Sequence, residues 1–276
     1  VIFVLAWFWL VATSFSCKTL GVSLRANRKK LKYFKKLKNN FKYTFLIFLT
    51  VLFISCKQNF KTQVTMNTDK VDSLKIGISG SWGTAYIDWG NGTTINTDDL
   101  WSLPIYFKNN YSDKKKHTIT INGSKLNTIK GLFCFDNQIT SLNVSNITKL
   151  KTLDVLKNRL KKIDVSNNPE LSELNCTWNQ LENLDTSKNT LLVNLSCENN
   201  QLKSLDVSNN TKLMSVFLRS NQLNDMQLNL FFKTLHNNKI FAKTIFIGGN
   251  PGIEKCDISI ATKKGWVVDT ESVEFE

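Results

Sequence analysis

An asparagine recurs at 21-residue intervals without a slip: Asn137, Asn158, Asn179, Asn200 and Asn221. Apolar residues hold fixed places around each one. Eight positions before stand Ile129, Leu150, Leu171, Leu192 and Leu213; five before, Leu132, Leu153, Leu174, Leu195 and Val216. Three before stand Cys134, Val155, Cys176, Cys197 and Leu218. Two after stand Ile139, Leu160, Leu181, Leu202 and Leu223, and five after stand Leu142, Ile163, Leu184, Leu205 and Met226. A period of this length marks stacked coils. A single coil cannot bury its own apolar side, so stability is shared between neighbours and both ends need caps.

Within each coil the Leu-x-Cys segment alternates with period two, which predicts a short strand with those two side chains inward. Coils stacked side by side put these strands into one parallel sheet. The Asn follows the strand, where the chain must turn and buried backbone groups need partners. Six positions after it stand Asp164, Asp185 and Asp206, with Asn143 in the first coil, and these fit a turn on the opposite side. Cys134, Cys176 and Cys197 share a position with Val155 and Leu218, so they read as small core residues with free thiols. Neighbouring coils present them in parallel, which suits a disulfide poorly.

The pattern L-x-x-L-x-[C/V/L]-x-x-N-x-L over about residues 126–228 resembles the leucine-rich-repeat family. The segments Leu205–Asn210 and Ile163–Asn168 resemble the 21-residue form common in surface proteins of Bacteroidota. The resemblance implies an α/β-type leucine-rich-repeat solenoid: a parallel concave sheet, a mostly irregular convex side, an N-terminal β cap and a C-terminal helical cap. It also implies that the Asn amide bonds to the turn and to the neighbouring coil.

Residues 57–72 read as a linker, 73–124 as a β-subdomain, 125–228 as repeats and 229–276 as the C-terminal cap. In the subdomain, Tyr86–Thr93 predicts a strand and a tight Asn-Gly turn, and His117–Gly123 alternates as another strand. The Trp89-Gly90-Asn91-Gly92 turn resembles that of PKD-like β-sandwich modules. After the repeats, Leu228–Leu235 has helical spacing, and Thr244–Gly252 repeats the strand-plus-Asn pattern once more. A second helix is expected over about Asp257–Lys264, stopped by Gly265, with Trp266-Val267-Val268 closing the core. This ending resembles the N-P-G…K-G-W termini found with such repeats.

The net charge is +14, but residues 1–56 hold ten of the 36 Lys/Arg and none of the 22 Asp/Glu. The remainder, with 26 basic and 22 acidic residues, carries only +4. The high charge is therefore a property of the leader and argues against a nucleic-acid partner. A basic stretch ending at Lys42, the apolar run Phe45–Ile54 and then Ser55-Cys56 follow the order of a secretory signal. Phe53-Ile54-Ser55-Cys56 resembles a bacterial lipobox, which implies lipidation of Cys56 and a cell-envelope location, with exposure on the outer membrane. A plain transmembrane anchor is the alternative, although the run is short for a span of about 20 residues. Val1–Ser16 is a second apolar run, read either as an over-extended or truncated gene start or as a membrane helix.

The search for chemistry finds little. His117 and His236 lie in different subdomains without motif partners, and no Walker, Rossmann or H-E-x-x-H pattern is present. No C-x-x-C pair suggests a metal, so no cofactor is expected. The design points to a surface. Positions facing outward on the strands are Phe133, Phe135, Asp154, Leu156, Asn175, Thr177, Ser196, Glu198, Phe217 and Arg219, with Trp178 just beyond its strand. Exposed aromatics are enriched at interfaces, which makes Phe133, Phe135, Trp178 and Phe217 the expected anchors; packing of Phe133 and Phe217 beneath the caps is the alternative. The chain reads as a non-catalytic surface-binding or adhesion protein for a protein or glycan. A structural envelope lipoprotein without a ligand, or a carbohydrate-processing accessory acting through the β-subdomain, are the other readings.

Overall fold

A computed structural model describes residues 62–80, 84–97, 102–113, 115–123, 129–239 and 242–272. The chain divides into two compact units, Val1–Gln58 and Asn59–Glu276, and every described residue belongs to the second. The leader, Cys56 included, lies outside the described residues.

Five coils form the body of a leucine-rich-repeat solenoid. Their strands are β7 (Ile129–Phe133), β9 (Thr152–Asp154), β10 (Glu173–Asn175), β11 (Asn194–Ser196) and β12 (Ser215–Phe217). They pair in parallel and in step: Leu132, Leu153, Leu174, Leu195 and Val216 stand opposite one another across the sheet. These five residues, together with Cys134, Val155, Cys176, Cys197 and Leu218, are buried. The strands are three residues long in the middle coils because only that stretch is held straight before the turn begins.

The turn is set by the residue before each Asn. Asp136, Lys157, Trp178, Asn199 and Ser220 all have φ between 51° and 55°. This left-handed conformation costs a non-glycine residue about 1–2 kcal/mol. The sequence gives little sign of it, since only Asn199 and Asp136 are residue types that enter this region readily. The Asn that follows repays the strain with hydrogen bonds. Asn179 Nδ2 donates to Val155 O (2.9 Å) in the previous coil and to Cys176 O (3.0 Å) in its own, while its Oδ1 accepts from Leu160 N (3.0 Å). Asn158, Asn200 and Asn221 repeat this arrangement.

The convex side carries a second buried ladder. Asn189 Nδ2 donates to Val165 O and Asn168 O (2.9 Å each), and Asn210 Nδ2 to Thr186 O and Asn189 O. Asn168 does the same to Val144 O and Ile147 O. The expected convex turn is present too: Asn143, Asp164, Asp185 and Asp206 accept from the backbone N of Ser145, Ser166, Ser187 and Ser208.

The N-terminal cap is a two-sheet structure gripping the first coil twice. Thr62–Thr68, placed in the linker by the sequence reading, is β1. It pairs antiparallel with β6 (His117–Gly123) on one side and with β8 (Ile139–Asn143), part of the first coil, on the other. Val64 and Met66 alternate inward and are buried. The same five-stranded sheet contains β3 (Ala85–Asp88) and β4 (Thr94–Thr97), joined by a five-residue loop rather than a two-residue Asn-Gly turn; Trp89 N bonds to Thr93 O. β2 (Ser73–Gly80) pairs antiparallel with β7 and with the edge strand β5 (Ile105–Asn110). The concave sheet thus runs on into the cap and reaches nine strands. Tyr111 ties the cap's loops: it stacks on His117 at 3.9 Å and donates its hydroxyl to Trp89 O at 2.8 Å.

At the other end, α1 spans Asp225–Thr234, three residues earlier than its spacing predicts, because Asn224 caps it by accepting from Gln227 N. Met226 therefore leaves the apolar register of the earlier coils and is 65% exposed. Leu228, Phe231 and Phe232 pack inward. Lys264 Nζ donates to Phe232 O, Lys233 O and Leu235 O, taking up the helix's last carbonyls. β13 (Lys243–Phe246) and β14 (Trp266–Asp269) extend the sheet in parallel, and Asn250 bonds to Leu218 O and Ile247 O as the ladder residues do. The second expected helix is reduced to a short α2, Ser259–Thr262, preceded by a 3-10 turn, Ile253–Lys255, and followed by Gly265 at φ 79°. Trp266 closes the core as expected, but Val267 points out and is 60% exposed, since β14 alternates.

Candidate functional site

The in-step pairing lines the outward side chains into rows across the concave sheet. One row reads Tyr106, Gly77, Phe133, Asp154, Asn175, Ser196, Phe217, Phe246, Asp269. The row beside it includes Gly131, Thr152, Glu173, Asn194, Ser215 and Thr244. Phe133 and Phe217 are four strands apart, about 19 Å at the usual strand spacing. Short polar side chains fill the floor between them.

Both aromatic groups extend into the caps. The rings of Phe133 and Phe135 lie 6.5 Å and 6.4 Å from that of Tyr106. Gly77 makes room for this: a Cβ there would stand 2.6 Å from Tyr106 and 3.1 Å from Phe133. Lys75 Nζ sits 4.4 Å from the Tyr106 ring centre. At the far end Phe217 and Phe246 stack at 4.5 Å with planes 5° apart. The expectation and its alternative therefore meet. Phe133 and Phe217 lie on the concave face, and each is half-covered by a ring from the adjacent cap. Tyr106 and Phe246 were not picked out from the sequence, although Phe246 occupies the strand position of Phe217 within the T-I-F-I segment.

Arg219 organises the C-terminal end of the face. Its guanidinium lies 4.6 Å from the Phe246 ring centre and donates to Asp269 Oδ1 (3.0 Å), Glu198 Oε1 (3.4 Å) and Glu271 O (3.0 Å). Burial pushes the Glu198 carboxyl above its ordinary value, and the charge of Arg219 acts in the other direction. The guanidinium is thus committed to holding the rings and carboxylates in place.

The centre of the face differs. A depression of about 310 Å³ is lined by Phe133, Thr152, Asp154, Glu173, Asn175 and Ser196 among others. Asp154 accepts from Leu156 N (3.0 Å), and burial pushes its carboxyl above the ordinary value despite that bond. Glu173 is exposed and takes a long hydrogen bond from Thr152 Oγ1. Asn175 accepts from Thr177 N.

The remaining predicted residues divide. Leu156 is half-buried in the outer row, next to Thr177. Thr177, expected on the binding face, is only 8% exposed, because its short side chain stands between the longer Leu156 and Glu198. Trp178 lies off the strand on the left-handed turn and is 46% exposed, on the rim rather than the floor. Thr152 and Glu173, one row over, are brought into the depression although the sequence reading passed over them.

Both histidines serve packing. His117 Nε2 lies 2.7 Å from Asp113 Oδ1, and His236 Nε2 lies 2.8 Å from Leu213 O with its ring edge-on to Trp266. Cys134, Cys176 and Cys197 are free and buried; burial pushes the Cys176 thiol up to about 12 and the other two up as well. Among the described residues, no group of three or more His, Cys, Asp or Glu could hold a metal ion.

No family model matches the sequence, and no curated protein matches it. Among solved structures, the functional domain of InlJ from Listeria monocytogenes, described as including a cysteine ladder, is 27% identical. It covers 50% of this chain and 38% of its own at a TM-score of 0.36. The internalin InlF of the same species is 24% identical (51% and 40%, TM-score 0.42). Its internalin C2 is 16% identical (52% and 63%, TM-score 0.41). This chain spans less than two thirds of each of these structures.

Proposed function

We propose that this protein is a non-catalytic binding protein of the cell surface that captures a protein or glycan on its concave sheet. One observation carries the reading: aromatic groups at Phe133 and Phe217 bracket a floor of short polar side chains that no described part of the chain covers. Partly exposed rings around a polar, hydrogen-bonding centre are the composition of recognition surfaces. The membrane attachment is part of the same proposal and rests on the lipobox-like Phe53–Cys56 segment. Intact mass spectrometry of membrane-extracted protein should find a diacylglycerol on Cys56; an unmodified thiol there would remove the anchor.

The binding reading is tested with the full chain in detergent, displayed against arrays of surface proteins and glycans. Trp178→Ala combined with Phe217→Ala should lower capture at least ten-fold while the thermal transition persists. Undiminished capture would place the binding surface elsewhere.

A further inference from the structure

The concave floor is acidic in a chain that is otherwise basic. Outside the leader the chain carries 26 basic and 22 acidic residues, yet β9 to β11 present Asp154 and Glu173, with Glu198 two residues past the end of β11, and no Lys or Arg. The segment just past the turn has the opposite character, with Arg159, Lys161 and Lys162 lining a separate depression of about 540 Å³. The basic cluster thus lies apart from the carboxylates of the concave floor.

The three carboxylates of the floor are not equivalent. Glu198 is neutralised by Arg219 within the protein. Asp154 and Glu173 make no ion pair among the described residues, although they line one depression with Phe133 as part of its wall. A half-buried carboxylate without a counter-charge costs stability in the free protein. An aromatic wall beside two carboxylates is suited to a cation, which can pair with the acids while resting its alkyl stem or charge against the ring.

We propose that this depression receives a Lys or Arg side chain from an extended segment of a protein partner. The proposal rests on the concave-face reading above and narrows it. The cation supplies the counter-charge that Asp154 and Glu173 lack, much as Arg219 supplies it for Glu198 and Asp269 one end further on. The polar side chains of Asn175 and Ser196 continue the same row, so the peptide backbone beyond the anchor meets hydrogen-bonding groups. Phe217 and Phe246 then offer it an apolar stop. The charge pattern favours a peptide over a neutral glycan, for which two unpaired carboxylates offer no special gain.

The test is a dense array of random 12-residue peptides, with a glycan array in parallel, probed with the full chain in detergent. Four forms are compared: wild type, Glu173→Gln, Asp154→Asn combined with Glu173→Gln, and Trp178→Ala combined with Phe217→Ala. Glu173 is exposed, so the single variant leaves folding intact. Peptides retained by the wild type should be enriched in Lys and Arg at least three-fold over the array. The enrichment should shrink in the single variant, vanish in the double variant and weaken with added salt. No enrichment, or enrichment that the double variant keeps, overturns the proposal, as does capture of glycans rather than peptides. If peptides of no particular charge are retained and the Trp178→Ala, Phe217→Ala protein loses them, the concave face stands and only the cationic anchor falls. If that protein retains them too, both readings fall.

Discussion

Asn137 holds both backbone groups of Lys75, donating from Nδ2 to Lys75 O at 2.7 Å and accepting from Lys75 N at 3.1 Å. Every later ladder Asn reaches back to a preceding coil, and here the preceding element is β2 of the cap. The cap thus takes the place of a coil in the hydrogen-bond ladder as well as in the sheet. Asn137→Ala should leave two part-buried backbone groups of Lys75 without this partner, at about 1 kcal/mol for each. Chemical denaturation should show a lower midpoint and a separate early transition for the cap. One unshifted transition would mean that the strand pairing of β1 and β2 suffices alone.

Trp178 occupies a left-handed turn at φ 55° and remains 46% exposed. Strain of about 1–2 kcal/mol at this position is relieved by glycine, which in turn loses more chain entropy on folding. Trp178→Gly should therefore change stability by less than about 1 kcal/mol in either direction. The same substitution should lower ligand capture several-fold. A large loss of stability in thermal unfolding would show instead that the indole is a packing element of the solenoid.

Asp154 yields a pH-dependent prediction. Burial raises its folded-state pKa, so the native protein holds this proton more tightly than the unfolded chain does. Its ionisation lowers stability as pH rises through the folded value, and stability returns as pH falls back through it. Asp154→Asn keeps an acceptor for Leu156 N without the charge. The variant should melt higher than wild type at neutral pH, and the gap should close at acidic pH, where the wild-type carboxyl is also neutral. A gap unchanged between neutral and acidic pH would show that the carboxylate's charge is not what matters.

The buried thiols should be inert while the protein is folded. Peptide-resolved mass spectrometry after brief alkylation at pH 8 should find Cys134, Cys176 and Cys197 unmodified, whereas Cys256, which is partly exposed, reacts measurably. All four should react in denaturant. Labelling of Cys176 at the rate of Cys256 would mean that the coils open locally.

The repeat was legible because five copies of one coil reinforce each other: Leu153, Val155, Asn158 and Leu160 say the same thing as their counterparts 21 residues on. The turn of Asp164 was legible for that reason too. The second ladder of Asn168, Asn189 and Asn210 was hidden because it reads as an ordinary polar turn until its burial is known. β1 was missed because Thr62–Thr68 is mostly polar, with Val64 and Met66 its two apolar residues, and its partners β6 and β8 are distant in sequence. Met226 kept its place in the apolar count while Asn224 had already started a helix. The aromatic groups were half legible. Phe133 and Phe217 follow from strand alternation, but Tyr106 reaches Phe133 only through the antiparallel pairing of β5 and β2. The pairing of Glu173 with Asp154 in one depression depends on two adjacent rows of the sheet, and a linear reading of one coil at a time does not place them together.

Because each coil repeats the same backbone bonds to the one before it, the distance between Phe133 and Phe217 is quantised. Inserting one more 21-residue copy between Asn179 and Asn200 would separate the two rings by a further strand spacing, about 4.8 Å, with neither cap disturbed. The solenoid is in this sense a caliper: its jaws are built by the end structures, and the number of coils sets the gauge of what can be held between them.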